Sequence, residues 1–285
     1  MHTEVLTVNG TRKLYCRLQS SVIRMHEQMH RTLIVMIGKT QAKRLIESLL
    51  GRRGYHLIRS SGAYDGLEHF FPLLRRLGFA PKHIVDVGAN RGYWTRTAFK
   101  YFPDAVYTLV EPQDHLKFYT QDLIAQGCKL NWINAGCGDF SGTLPLFVSY
   151  RDDGSTFVLT DWNRNSTKSQ RITVPMMTLN QIVASSRAGL PEMVKIDAEG
   201  FDLKVLAGAS DLLGKTDIFL VEAAVGPRAY DNSVAEVVRF MAKAGYNLMD
   251  ITDLNPSPKH GVLWLCELAF LREGSPLLDA ATSYE

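Results

Sequence analysis

The stretch Ile84-Val85-Asp86-Val87-Gly88-Ala89-Asn90-Arg91-Gly92-Tyr93-Trp94 decides the fold. Apolar residues surround a carboxylate at Asp86, the chain turns on Gly88, and a helix-compatible segment opens after Gly92. Glycine permits torsions denied to other residues and lets a ligand lie against the main chain, so this is the form of a nucleotide-type loop between strand and helix. A dinucleotide site wants G-x-G-x-x-G, whose second glycine admits a pyrophosphate, and Asn90 occupies that place. A phosphate-free nucleoside fits better. Tight strand-to-helix turns also need glycine for purely structural reasons, so the loop alone leaves both readings open.

Outward from this loop, short apolar strands alternate with amphipathic segments, the pattern of a parallel sheet covered on both faces. The expected strands are residues 83–87, 106–111, 130–135, 193–197, 217–223, 246–251 and 262–271. They predict an α/β fold, a doubly wound, mostly parallel seven-stranded sheet over residues 81–285. The stretch 138–186 is too long for one crossover and holds its own strand-like pieces, LPLFVSY, TFVLT and RITVPMM. It is expected to be an insertion near the carboxyl ends of the strands, where such folds place ligands. Residues 1–80 are expected to form a mostly helical appendage, with a helix over 20–50 that ends at Gly51 and Gly54 and a second over 64–77.

The second expected strand ends in Val110-Glu111-Pro112, which places an acidic residue 25 positions after Asp86. From there a carboxylate can accept both ribose hydroxyl hydrogens of a nucleoside. The bland alternative is a solvated strand end. Further on, VKIDAEGFDLKVLAGA (194–209) is a strand ending in Asp197 and Glu199, then Gly200, then a helix. Strand-end carboxylates of a doubly wound sheet lie beside the ligand crevice, so Asp197 is a functional candidate. Glu199 reads equally well as a helix cap, and Glu222, at the end of the next strand, carries the same two readings.

Taken together and in this order, IVDVGANRGYWT, LVEP and VKIDAEGFDLKVLAGA resemble the FkbM-type methyltransferase family, from about Ser48 to Asp250. The segment LLGRRGYHLIR (49–59) is similar to the lead-in of members linked to polysaccharide and glycolipid pathways. The resemblance implies S-adenosylmethionine as cofactor, a hydroxyl of a sugar or secondary metabolite as acceptor, and a last strand that runs antiparallel. By position it puts Asp86, Gly88 and Asn90 around the methionine part, and Gly92 of the same loop is a further cofactor-binding candidate. Glu111 falls to the ribose, and Ala135, Gly138 and Asp139 to the adenine. Ser155 and Thr156 match a family Ser-Ser pair. Met177-Thr178-Leu179-Asn180 resembles a Thr-Leu-Asp element with its acid replaced, and Glu199 matches a position that is Glu or Gln in relatives, which argues against an obligatory metal ligand.

Methyl transfer to an alcohol is an in-line displacement that needs positioning and help in removing a proton. Asp197 is the first choice for that contact and His115 a lesser one, with Ser155, Thr156, Glu199 and Glu222 on the acceptor side and no metal expected. A nicotinamide-dependent sugar oxidoreductase shares the sheet and the ribose carboxylate, but Asn90 and the absence of a Tyr-x-x-x-Lys pair disfavour it. A noncatalytic cofactor-binding relative is a third reading. Nucleic acid is an unexpected acceptor, because strand four ends in IDAEG rather than an Asn/Asp-Pro-Pro-aromatic box.

Composition bounds the rest. At 285 residues and 46% hydrophobic content the chain can bury a full core. The longest apolar run near the N-terminus, Leu33 to Ile37, is far short of the roughly 20 residues that cross a bilayer, and no secretory pattern is visible, so a cytoplasmic protein is expected. Cys16, Cys128, Cys137 and Cys266 lack the spacing of a zinc or redox motif and read as free thiols. Residues 1–60 hold eleven Lys and Arg against Glu4, Glu27 and Glu47, while the remainder has an acidic surplus. That segment predicts peripheral contact with an anionic membrane or a lipid-linked glycan, a solvated helix or subunit contact being the alternative.

Overall fold

The computed structural model describes residues 64–150, 154–160, 167–226, 230–257 and 260–278. The basic segment and the helix expected over residues 20–50 lie outside the described residues.

Strands buried on both faces show as continuous apolar runs, and two such runs form the middle of the molecule. These are β2 (His83–Val87) and β8 (Met193–Ile196), in which every residue is buried. Around them lie β3 (Val106–Val110), β4 (Lys129–Ile133), β9 (Ile218–Ala224), β10 (Tyr246–Pro256) and β11 (Leu263–Arg272). With the two-residue β1 (Tyr64–Asp65), the sheet order is β1-β10-β11-β9-β8-β2-β3-β4. Strands β9, β8, β2, β3 and β4 pair in parallel, and β11 runs antiparallel to both neighbours. All seven expected strands are present in the doubly wound order, with ends shifted by a few residues, and the last is the antiparallel one.

Helices cover both faces. On one, α1 (Leu67–Arg76) and α2 (Tyr93–Tyr101) enclose a core in which Phe71 meets Trp94 and Phe102 edge-on, with ring centroids 5.5 Å apart in each case. The helix expected from residue 64 starts at Leu67, because Tyr64 and Asp65 pair with Leu254 and Asp253 of β10 instead. The other face is covered by α4 (Leu179–Ser185), α5 (Asp202–Ala207) and α6 (Val234–Lys243) over Val85, Val194, Phe219 and Phe270. The short α3 (Gln121–Ala125) follows a 3-10 helix, Asp114–Thr120. Among the described residues no helix is long and apolar enough to cross a membrane.

The expected insertion folds as a second, three-stranded sheet of order β5-β7-β6, built from β5 (Gly136–Gly138), β6 (Gly142–Ser149) and β7 (Thr167–Thr178). Its first strand begins before the expected boundary at 138. The TFVLT piece forms no strand and makes a single bridge, Thr156 to Phe147. At its end, Thr178 caps α4 in a reciprocal pair with Gln181. Asn180 donates to Ser210 at 2.9 Å and accepts the Asp211 N–H at 3.0 Å, so it ties α4 to the end of the α5 region.

Gly208 explains how this second sheet seats. A Cβ there would come within 2.0 Å of the Gly138 carbonyl oxygen, so the α5 terminus and β5 approach backbone to backbone. Gly208→Ala should therefore destabilise the fold by about 1–3 kcal/mol, the cost of overpacking, read as a shift of the urea midpoint. An unshifted midpoint would show that β5 is free to move away.

Candidate functional site

Doubly wound sheets bind ligands where the strand order reverses. Here that point lies between β2 and β8, since β3 and β4 continue to one side of β2 while β9 continues beyond β8. An open cleft of about 630 Å³, partly continuous with solvent, sits at the carboxyl ends of these strands. Seven of the expected site residues border it: Gly88, Asn90, Glu111, Ala135, Ser155, Asp197 and Glu199.

The floor is stitched from three strand ends. Gly88 and Ala89 N–H donate to the Val110 carbonyl at 3.0 and 3.1 Å, and Asp197 N–H donates to the Val87 carbonyl at 3.1 Å. Gly88 has φ 72°, and a Cβ on it would stand 1.8 Å from the Asp197 carbonyl oxygen. Glycine is thus required here by the close passage of the backbone that follows β8, the structural one of the two reasons open in the sequence. Gly92 serves the fold too, as the left-handed residue before α2, facing Thr120 and Leu123.

Glu111 is 4% exposed and held by the turns on both sides. One carboxylate oxygen accepts the Asn90 N–H at 2.9 Å and the other the Gln113 N–H, also at 2.9 Å. Burial pushes its pKa up to about 7, against the opposing pull of these amides, the Gln113 side chain and Lys195. A carboxylate offers about four lone-pair positions, so two amides leave acceptor capacity for a pair of adjacent hydroxyls.

Across the cleft, Lys195 was missed by sequence reasoning, although a lysine inside the apolar strand MVKI between two carboxylates was the available signal. Its ammonium lies 3.1 Å from Asp197 Oδ2 and 3.4 Å from Asp86 Oδ1, and only 5% of the side chain is exposed. Burial alone would lower its pKa, but Asp197, Asp86 and Glu267 outweigh that and keep it protonated. Asp86 is fully buried, accepts the Thr95 hydroxyl at 2.5 Å and does not reach the cleft. It acts through Lys195. The Asp197 side chain is 35% exposed and borders the cleft.

The remaining candidates divide. The Ser155 hydroxyl donates to Gln113 Oε1 at 3.4 Å, accepts the Ser149 N–H at 3.1 Å and borders the cleft. Thr156 is fully buried and donates to the Glu199 carbonyl at 2.8 Å, a contact that ties the insertion to the strand-end loop. Next to it, Phe157 packs on Phe201 with centroids 5.4 Å apart and also borders the cleft, a residue that no sequence signal marked. Burial and the nearby carboxylates Asp197, Glu199 and Asp202 raise the Glu222 pKa well above the usual range. Gly138 packs beneath Phe201 and Met176, Asp139 pairs with Lys204 at 2.9 Å, and His115 lies exposed on the 3-10 helix; none of the three borders the cleft. Cys128, Cys137 and Cys266 are buried free thiols, and burial pushes Cys137, which borders the cleft, up to about 12 and out of nucleophilic use. Among the described residues no group of three or more His, Cys, Asp or Glu is arranged to hold a metal ion.

Comparison with known proteins places this cleft in context. The methyltransferase FkbM domain family model matches residues 86–248, more than half of the chain. No curated protein sequence matches. Among solved structures, a putative O-methyltransferase from Klebsiella pneumoniae is 14% identical, with 87% of this chain and 97% of that one covered and a TM-score of 0.44. The N-methyltransferase NodS from Bradyrhizobium japonicum WM9 is 9% identical, covering 73% and 97% at a TM-score of 0.43. A precorrin-6y C5,15-methyltransferase from Geobacter metallireducens GS-15 is 9% identical, covering 71% and 86% at 0.41. Likeness at this level does not bear on the acceptor.

The arrangement makes Lys195 a test of the site's electrostatics. Lys195→Met leaves Asp86 and Asp197 without their shared cation and should cost about 3–5 kcal/mol in urea unfolding, the range for breaking a buried ion pair. A loss below ~1 kcal/mol would mean that the carboxylates simply take up protons in its place.

Proposed function

The chain belongs to the FkbM methyltransferase family, and on that premise we propose that it is an S-adenosylmethionine-dependent O-methyltransferase acting on a hydroxyl of a sugar, a glycolipid or polysaccharide, or a secondary metabolite. The observation that carries this reading is the buried Glu111 carboxylate, braced by two backbone amides with acceptor capacity left over beside the cleft. A nucleoside ribose presents two neighbouring hydroxyls, which is the donor pattern such a group takes.

Bound in the cleft, S-adenosylmethionine would supply an electrophilic methyl carbon on a sulfonium. Gly88 and Asn90 border the part of the cleft nearest β2 and suit the methionine portion, while Ala135, small and buried, suits the flat base. Gly138 and Asp139, placed away from the cleft, are left out of this assignment. On the far wall, Asp197 is steadied by Lys195 at one oxygen and reaches the cleft, where it would accept the proton of an acceptor hydroxyl. Ser155 and Glu199 also border the cleft and would orient the acceptor. The carboxylate-rich wall supports a hydroxyl-bearing, donor-rich acceptor.

Calorimetry with S-adenosylhomocysteine tests the cofactor half. A protonated Glu111 cannot accept two hydroxyls, so with its pKa at about 7 affinity should level off above pH 7 and fall as pH drops below it, by up to about tenfold per unit until the carboxylate's contribution is lost. Glu111→Ala should lose about 1.5–3 kcal/mol of binding, the worth of hydrogen bonds to a charged group. Binding of NAD in place of S-adenosylhomocysteine, or full affinity in the folded variant, would remove this role. For the acceptor half, Asp197→Asn should lower turnover about 10²–10⁴-fold with cofactor affinity retained. An Asn variant that melts early yet methylates at the parent rate would make Asp197 a structural partner of Lys195 only.

A further inference from the structure

The segment Asp197–Gly200 carries two of the three carboxylates that border the cleft, Asp197 and Glu199, and its backbone is held in an uncommon shape. Glu199 has φ 50° and Gly200 φ 92°, two successive left-handed residues of which one is not glycine. Such a turn persists only where its surroundings impose it. Three contacts do so. Gly200 lies under the Tyr230 ring so closely that a Cβ would stand 2.2 Å from it. The Thr156 hydroxyl donates to the Glu199 carbonyl at 2.8 Å. The third is Asp202, which is fully buried.

Asp202 Oδ1 accepts the Ala198 N–H at 2.8 Å, and Oδ2 accepts the Gly200 N–H at 3.2 Å and the Asn232 side-chain amide at 2.6 Å. The two backbone bonds bracket Glu199. A capping carboxylate would spend its oxygens on N–H groups of the first turn of its own helix. Asp202 is the first residue of α5 but turns both oxygens upstream, onto the loop, and across to Asn232. The Asn232 amide also donates to the Glu222 carbonyl at 3.3 Å, so the loop is referenced to β9, the neighbour of the strand from which it springs. Asp202 does not border the cleft.

We propose that Asp202 is a positioning residue for the transfer reaction: by gripping the Ala198 and Gly200 amides it sets where the Asp197 and Glu199 side chains stand toward the acceptor. It touches neither acceptor nor cofactor. The proposal rests on the acceptor role given to Asp197 above, and its effect falls on turnover because a misplacement of about 1 Å at a reacting group costs about 100-fold in rate.

The test is run at pH 8, above the value of about 7 to which burial pushes the Asp202 carboxyl. Asp202→Ala should lower turnover about 100-fold while S-adenosylhomocysteine affinity stays at the parent value. In hydrogen exchange of the folded variant, the Ala198 and Gly200 amides should lose protection while those of Val194 and Ile196 keep theirs. Asp202→Asn keeps the side-chain shape and one acceptor oxygen, so it should fall between parent and Ala variant in both measurements, and it decides the matter if the Ala variant does not fold. A folded variant with parent turnover overturns the proposal, whether or not it melts early, and so does parent protection at Ala198 and Gly200. If the parent protein itself methylates no acceptor, the functional reading fails instead, and the exchange measurement still judges the clamp.

Discussion

A single buried ammonium holds the two sides of the cleft in register. Lys195 sits in the central strand β8, with Asp86 of the adjacent β2 on one side and Asp197, at the head of the acceptor-facing loop, on the other. Burying a charge is costly unless it is paired, and here each member of the triad depends on the other two. The consequence is geometric. Asp86 never reaches the cleft, yet through Lys195 it fixes the direction of Asp197, which does.

The two walls are built by different means. The wall toward β2 and β3 is mostly backbone: the turns before and after Glu111 deliver the Asn90 and Gln113 amides to its carboxylate, which is braced by the main chain. The opposite wall is made of side chains on a strained loop, held from behind by the inserted sheet through Thr156 and Phe157. A backbone-built wall resists substitution. A side-chain wall leaning on an insertion is where the chemistry of an acceptor can be adjusted without disturbing the turns opposite.

Sequence reading captured what is periodic or local. The seven strands were legible because each is a short apolar run between turn signals, and Glu111, Asp197 and Glu199 were legible because a carboxylate at a strand's carboxyl end points toward the crevice in this topology. What stayed out of sight was whatever depends on packing between distant segments. Gly138 and Asp139 stood next to cleft residues in sequence, but Phe201 and Lys204 draw them away from it. Thr156 was expected on the acceptor side, and only the approach of the Glu199 carbonyl shows how its hydroxyl is spent. Gly88 was recognised for its position, with a structural and a ligand reason both open, and the structural one became visible only in the fold, since the Asp197 carbonyl that meets it lies far along the chain. His115 had nothing beyond proximity to Glu111 in its favour.

The pairing of β2 with β8 also bears on how the chain reaches this state. Residues meeting across it are widely separated in sequence, as with His83 and Glu192, 109 positions apart. The strands on either side are assembled from nearer neighbours: β2 with β3 and β4, and β8 with β9, β10 and β11. Loop-closure cost grows only slowly with length, but pairings this distant in sequence lower the rate at which a chain folds. The cleft straddles that seam, with Glu111 on one half and Asp197 on the other. Each half alone exposes an unfinished wall, and the Lys195 charge finds both of its partners only after the seam has closed. Ligand that requires both walls recognises only chains in which this pairing has formed, and by mass action it then acts as a latch against their reopening.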